Sequence, residues 1–333
     1  MRYPTLAAGL LAATALTTPL AAQDTTPELI VYTYDSFVSD WGPGPAITEA
    51  FQEICDCRLN LVGVGDGAAL LARLQLEGAR AAADVVLGLD TNLTARAAAT
   101  GLFTAHGITA EMDLPLPWSD TQFLPFDWGW FAFVHDRTRL PEPPTNFREL
   151  IDSDLSIVIQ DPRSSTPGLG LMMWVEAAYG DQATEIWEGL APRILTVTSG
   201  WSEAYGLFLD GEADMVLSYT TSPAYHLLAE DDDSKAAAPF EEGHYLQIEV
   251  AGILASSGQP ELARQFMEFM VSDAFQSIIP TTNWMYPAVT PEDGLPEGFE
   301  TLHRPEVSLL FPDEEAAELR DAALDRWLNA LAQ

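Results

Sequence analysis

Six hydroxyl-bearing side chains fall within the eight positions from Ser218 to Tyr225 (S-Y-T-T-S-P-A-Y), directly after the apolar run Asp214 to Leu217 (D-M-V-L). A buried strand that ends this way gathers hydrogen-bond donors, acceptors and two aromatic rings at one spot, the mixture a small-molecule pocket requires. Further rings, Trp201, Tyr205, Trp284 and Tyr286 together with Tyr32, Tyr34 and Trp41, lie near segment ends instead of inside apolar runs. Singly each reads as core; together they describe an aromatic box suited to a flat or cationic ligand through stacking and cation–π attraction.

Two more strings carry chemistry. Gln160 to Gly168 (Q-D-P-R-S-S-T-P-G) places Thr166 as an N-cap and Pro167 as a first helical residue. Such a helix start is either an ordinary cap or a seat for a phosphate or carboxylate. Gly63 to Ala68 (G-V-G-D-G-A), between an expected strand and helix, fits G-x-G-x-x-A with Asp84 downstream, the outline of a dinucleotide fingerprint. Asp84, however, opens the next strand instead of closing it. A helix capped by Asp66, with glycines that let backbones approach, and a ligand contact from the same loop stay open as readings.

The compartment narrows the choice. Met1 to Ala22 has one basic residue, Arg2, an Ala- and Leu-rich stretch from Leu6 through Leu20, and the small residues Ala21-Ala22. This pattern predicts a secretory leader cleaved near Ala22, and an exported chain meets little free NAD. No other segment approaches the ~18 continuous apolar residues of a membrane span. The formal charge of −35 repels nucleic acid and anionic lipid surfaces, which excludes nucleic acid as a partner. The same charge would attract a cation, although general surface acidity also accounts for it. The only cysteines, Cys55 and Cys57, would sit about 6.7 Å apart in an extended segment, near the upper limit for a disulfide, so their pairing stays open. Two thiols cannot build a structural zinc site, and the five histidines show no ligand spacing, so neither metal nor cofactor is expected.

The elements that must position these residues alternate between strand and helix. Strands are expected at Glu28 to Thr33, Leu59 to Val64 and Ala83 to Gly88, with helices from about Ile47 to Ile54 and from Ala68 to Gly78. The scheme repeats with strands at Ser156 to Gln160, Ile194 to Val197 and Asp214 to Leu217, and helices from Pro167 and around Glu203 to Leu209. Between the two sets lies Pro125 to Asp136. A second crossing near Tyr245 to Leu254 precedes a helix from Glu261 to Val271. The fold class is therefore α/β, with mostly parallel sheets flanked by helices. Two crossings divide it into lobes at residues 28–125 with 250–288, and 126–249 with 289–333, joined by hinge strands around a cleft.

Seven strings carry a family resemblance: Val31 to Phe37 (V-Y-T-Y-D-S-F), Asp40 to Pro45 (D-W-G-P-G-P), Ala83 to Asp90 (A-D-V-V-L-G-L-D), Gln160 to Gly170, Gly200 to Leu209 (G-W-S-E-A-Y-G-L-F-L), Leu217 to His226 and Asn283 to Pro287 (N-W-M-Y-P). From about residue 29 onward the chain resembles the periplasmic thiamine-binding proteins of bacterial ABC transporters. The resemblance implies the two-lobed type II periplasmic binding protein fold, thiamine and its phosphate esters as ligands, and delivery to an inner-membrane permease with a cytoplasmic ATPase. It implies ligand contacts at Asp66, Gly67, Ser165, Thr166, Trp201, Tyr219, Thr220, Thr221 and Ser222, with Tyr34, Tyr225 and Trp284 as aromatic walls. Trp128 and Trp130 stand where it leads one to expect tyrosines.

The chemistry of thiamine agrees: its thiazolium is a permanent cation that rings can face, and Asp35 or Asp66 is expected to balance the charge. A phosphate ester is expected at the Ser165-Thr166 helix start. Two rivals share the fold. Thiaminases need a lone nucleophilic cysteine beside a base, to which neighbouring Cys55 and Cys57 are poorly suited. A ferric receptor would show adjacent tyrosines and a polyamine receptor several cleft carboxylates; the strings above are mainly hydroxyl and aromatic.

Overall fold

The computed structural model describes residues 26–332. The leader expected at Met1 to Ala22 lies outside the described residues. Among those described, no helix is long and apolar enough to cross a membrane.

The first half of the chain alternates as its apolar runs require. Strand β1 (Glu28–Thr33) leads to helix α1 (Gly44–Ile54), β2 (Arg58–Gly63), α2 (Gly67–Glu77), β3 (Val85–Asp90), α3 (Thr94–Ala99) and the short β4 (Phe103–Thr104). Then comes β5 (Phe123–Asp136), which is buried along nearly its whole length, as a strand covered on both faces must be. Beyond it the alternation resumes with α4 (Phe147–Asp152), β6 (Ile157–Gln160), α5 (Thr166–Tyr179), α6 (Ala183–Leu190), β7 (Ile194–Thr198), α7 (Trp201–Leu209), β8 (Met215–Tyr219), α8 (Pro223–Ala229) and β9 (Lys235–Ala237). Strand β10 (His244–Leu254) returns to the middle, followed by α9 (Pro260–Met270), α10 (Asp273–Gln276), α11 (Ile279–Thr282), β11 (Tyr286–Pro287), β12 (Ser308–Leu309) and α12 (Asp313–Leu331).

The main strands run in the order β2-β1-β3-β10-β5-β8-β6-β7. The outer trios are parallel, β1 with β2 and β3, β6 with β7 and β8, whereas β5 and β10 run antiparallel to their neighbours. Strand β5 is shared: Phe123 to Trp130 pairs with β10, and Phe131 to His135 pairs with β8. One unbroken strand thus serves two sheet regions, and the apolar run Pro125 to Asp136 is long because both must be filled.

Boundaries differ from expectation by one or two residues at most ends, and two differences have a physical reason. Helix α5 begins at Thr166 with Ser165 as its N-cap, so Thr166 is not the cap. The Ser165 hydroxyl makes no capping bond and instead donates to Asp66. Cys55 and Cys57 form a disulfide with Cα atoms 5.1 Å apart, closer than an extended segment permits, because the chain bends between α1 and β2.

Candidate functional site

A cavity of about 360 Å³ opens where the ends of β1 and β8 and the middle of β10 meet α2, α5, α7, α8 and α11, within the range of small-molecule sites. One wall is built on the first turn of α7. Trp201 stacks on Tyr205 at 5.0 Å and lies 6.1 Å from Trp41, which is exposed at the rim. Behind them the Tyr205 hydroxyl meets His226 Nε2 at 2.9 Å, and His226 Nδ1 meets Glu230 at 2.7 Å. A second ring pair lining the cavity is Tyr225 and Trp284, edge to face at 5.4 Å. Trp284 holds a φ of +57°, in the left-handed region that a bulky residue occupies only at a cost.

The hydroxyl-rich run divides its labour more sharply than its composition shows. Tyr219 and Ser222 line the cavity, whereas Thr220 and Thr221 are fully buried and do not. Trp201 Nε1 donates to Ser218 Oγ at 2.7 Å, Ser218 Oγ and Ser222 Oγ lie 2.6 Å apart, and Tyr219 N donates to Ser222 Oγ at 3.1 Å. Ser218 is wholly buried, so its proton is satisfied only if it donates to Ser222. The Ser222 hydroxyl, already accepting twice, therefore keeps its own proton for the cavity.

The loop from Gly63 to Ala68 caps α2 and also joins it to α5. Asp66 Oδ1 accepts from Gly67 N at 2.9 Å, Asp66 Oδ2 accepts from Ser165 Oγ at 2.8 Å, and Thr166 Oγ1 accepts from Gly67 N at 3.2 Å. A Cβ on Gly67 would stand 2.3 Å from Thr166 Oγ1, so only glycine allows the two helix starts to meet. Asp66 lines the cavity; Gly67, Ser165 and Thr166 lie behind it. Burial raises the Asp66 pKa, and the hydrogen bonds from Ser165, Gly67 and Thr166 pull it back. The seat expected for an anion thus holds the Asp66 carboxylate.

The floor is acidic, and sequence reasoning missed it. Glu249 on β10 lines the cavity and accepts from Tyr34 Oη at 2.9 Å and Gln247 Nε2 at 2.8 Å. Asn283 Nδ2 donates to Tyr34 Oη at 2.9 Å and to Asp127 Oδ2 at 2.6 Å. Gly88, at φ +105°, leaves room for the Tyr34 ring, whose Cδ1 would lie 2.3 Å from an added Cβ. Burial pushes the Asp127 carboxyl up to about 8, and burial with the facing Asp127 pushes Glu249 well above the carboxylate range. Asp35, expected to balance a ligand charge, is exposed, accepts from Gly65 N and does not line the cavity. The available signal for Glu249 was a charge inside the apolar run of β10.

Of the other singled-out rings, Tyr32 lies under Arg73 at 4.4 Å and Tyr286 stacks on Trp128 at 4.6 Å, both away from the cavity. The histidines show no mutual ligand spacing, yet His226, Glu230 and Asp232 present ligand atoms within 4.8 Å of one another. Both His226 nitrogens are engaged, by Tyr205 and Glu230, so His226 and Glu230 brace the aromatic wall while the Asp232 carboxylate holds Ser234 and Lys235.

Comparison with known proteins places this geometry. The profile described as bacterial extracellular solute-binding protein matches residues 43–277. The thiamine-binding periplasmic protein of Escherichia coli (strain K12) is 54% identical over 310 residues, covering 92% of this chain and 94% of that protein. A solved structure of a periplasmic thiamin binding protein superposes with a TM-score of 0.91 at 52% identity, covering 93% of this chain and 98% of the other. The ferric binding protein from Campylobacter jejuni shares the fold alone, with a TM-score of 0.72 at 18% identity over 91% of this chain and 99% of the other.

Proposed function

The chain belongs to the bacterial extracellular solute-binding proteins and, among them, to the thiamine-binding periplasmic proteins, and on that premise we propose that it captures thiamine in this cavity for an ABC importer. The observation that carries the proposal is the make-up of the cavity. It is lined by the rings of Tyr34, Trp41, Trp201, Tyr205, Tyr219, Tyr225 and Trp284, the hydroxyl of Ser222 and the carboxyl groups of Asp66 and Glu249, and no Lys or Arg among the described residues lines it. A flat aminopyrimidine finds stacking surfaces in Trp201, Tyr225 and Trp284, and a thiazolium finds negative charge. The contacts are Tyr34, Asp66, Trp201, Tyr219, Ser222, Tyr225 and Trp284. Gly67, Ser165 and Thr166 supply the donors that a phosphate ester would take over from Asp66, while Thr220 and Thr221 shape the wall from behind.

The protein works in the periplasm after removal of its leader. The lobes comprise residues 28–125 with 250–288, and 126–249 with 289–333; β5 and β10 form the hinge, and α12 packs on α5 and α6. Closure would bury the ligand and present the closed form to the permease and its ATPase. Binding without turnover fits the thiols: both are locked in one disulfide, which leaves no lone cysteine for thiaminase chemistry.

Mass spectrometry of the small molecule retained by natively purified protein, followed by calorimetric titration with thiamine, tests the reading. Thiamine is expected in the retained fraction. Absence of measurable binding refutes transport of thiamine, and cleavage of thiamine in the presence of an added nucleophile refutes a purely binding role.

A further inference from the structure

Glu249 and Asp127 stand directly opposite each other on the two central strands, in the register Glu249 with Asp127. Like charges placed so repel across a sheet. The titratable groups facing Glu249 are Asp127 on β5, Asp90 on β3, Asp66 at the start of α2, Tyr34 after β1 and Tyr219 at the end of β8. The remaining polar neighbours, Gln247 on its own strand and Asn283 after α11, are neutral. None of these is a cation. Asp127 is fully buried, with Oδ2 held by Asn283 while Oδ1 meets no donor. An acceptor left bare at zero exposure is costly unless a proton sits between it and the facing carboxyl.

Resting on the thiamine reading above, the geometry points to Glu249 as the residue that recognises the positive charge of the ligand. Asp127 is its positioning partner: in the free protein the facing pair is neutral, and once the cation arrives one proton is lost and the two carboxyls share the other. The exchange balances: a carboxyl O–H bond breaks, the proton leaves to solvent, and the negative charge left on Glu249 meets the thiazolium. No step changes the ligand, whose thiazolium keeps its charge throughout this pH range. The direction of both titrations supports the arrangement, because burial holds Asp127 up to about 8 and Glu249 well above its ordinary value, so the free pair is neutral at neutral pH. A neutral ligand of the same shape would leave that proton in place. Selectivity for the cation thus comes from a charge that appears only when a cation compensates it.

Calorimetry of wild type with thiamine, in buffers of different ionisation enthalpy between roughly pH 5.5 and 8.5, counts the protons; about one per thiamine is expected near neutrality, with affinity rising up to about tenfold per pH unit below the titration of the pair. A thiamine isostere carrying neutral thiophene in place of the thiazolium should release none. Glu249→Gln should abolish release and weaken thiamine at least about tenfold, while changing the isostere less than about twofold. Asp127→Asn, which lets the new amide donate to an ionised Glu249, should flatten the pH profile for thiamine. Proton release of zero in wild type that binds thiamine, or equal losses of both ligands in Glu249→Gln, overturns the assignment and leaves the thiamine reading standing. Failure of wild type to bind thiamine overturns both.

Discussion

Replacing Trp201 tests the wall on which most of the cavity depends. Its ring stands between Trp41 and Tyr205 at 6.1 and 5.0 Å, and its Nε1 donates to Ser218 at 2.7 Å. Trp201→Ala removes one face of the box, worth about 1 kcal/mol in aromatic contact beyond area, and a cation–π share of similar size. With about 1 kcal/mol more for the lost donor to Ser218, the sum of about 3 kcal/mol corresponds to an affinity loss of roughly 150-fold. Trp201→Phe keeps a ring and loses only the donor to Ser218, a net of about 1 kcal/mol or roughly fivefold. Ser222→Ala removes the far end of the same Trp201–Ser218–Ser222 chain and should cost a similar amount, less than additively with Trp201→Phe. Titration calorimetry with thiamine reads each loss, and a melting curve confirms that the variants are folded; Trp201 is only partly buried, so the scaffold should tolerate them. Unchanged affinity in Trp201→Ala, or a larger loss in Trp201→Phe than in Trp201→Ala, would refute the stacking argument.

Two further outcomes follow from strain and charge. Trp284 at φ +57° carries a backbone penalty that glycine relieves and alanine keeps, so Trp284→Gly should melt above Trp284→Ala by about 1 kcal/mol in stability, while both lose thiamine affinity alike. Asp90 is held by burial at about 7 and Asp127 at about 8, so the folded protein binds more protons than the unfolded chain, whose carboxyls titrate near 4. Stability of the ligand-free protein should therefore fall as pH rises from about 4 to 8. Below that range the sign reverses, because Asp136, brought down to about 2 by Thr138 and Lys235 against its own desolvation, loses its stabilisation on protonation. Denaturant unfolding across pH should show a maximum near pH 4; a curve that rises steadily to pH 8 would contradict the buried carboxyls.

Much of this protein could be read along the chain because its apolar periodicity is local. Runs such as Val85 to Asp90 and Met215 to Tyr219 are buried strands whatever surrounds them, and their alternation with amphipathic helices decides the α/β class. The hydroxyl and aromatic residues after β8 likewise announced a pocket. Residue type could not decide which of them face it: Thr220 and Thr221 differ from Tyr219 and Ser222 only in the direction the chain turns between β8 and α8. The cap residue of α5 gives its hydroxyl proton to a partner 99 positions away in sequence, Asp66, which spacing along the chain could not show. Glu249 shows the limit most plainly. In sequence it is one charge in an apolar run, and its meaning comes from Asp127, brought opposite it only when β5 and β10 pair. The chain by itself determined the elements and the class of ligand surface, since both follow from side-chain type and spacing. Only the tertiary structure decided the charge of the site, because burial and like-charge neighbours depend on which strands meet.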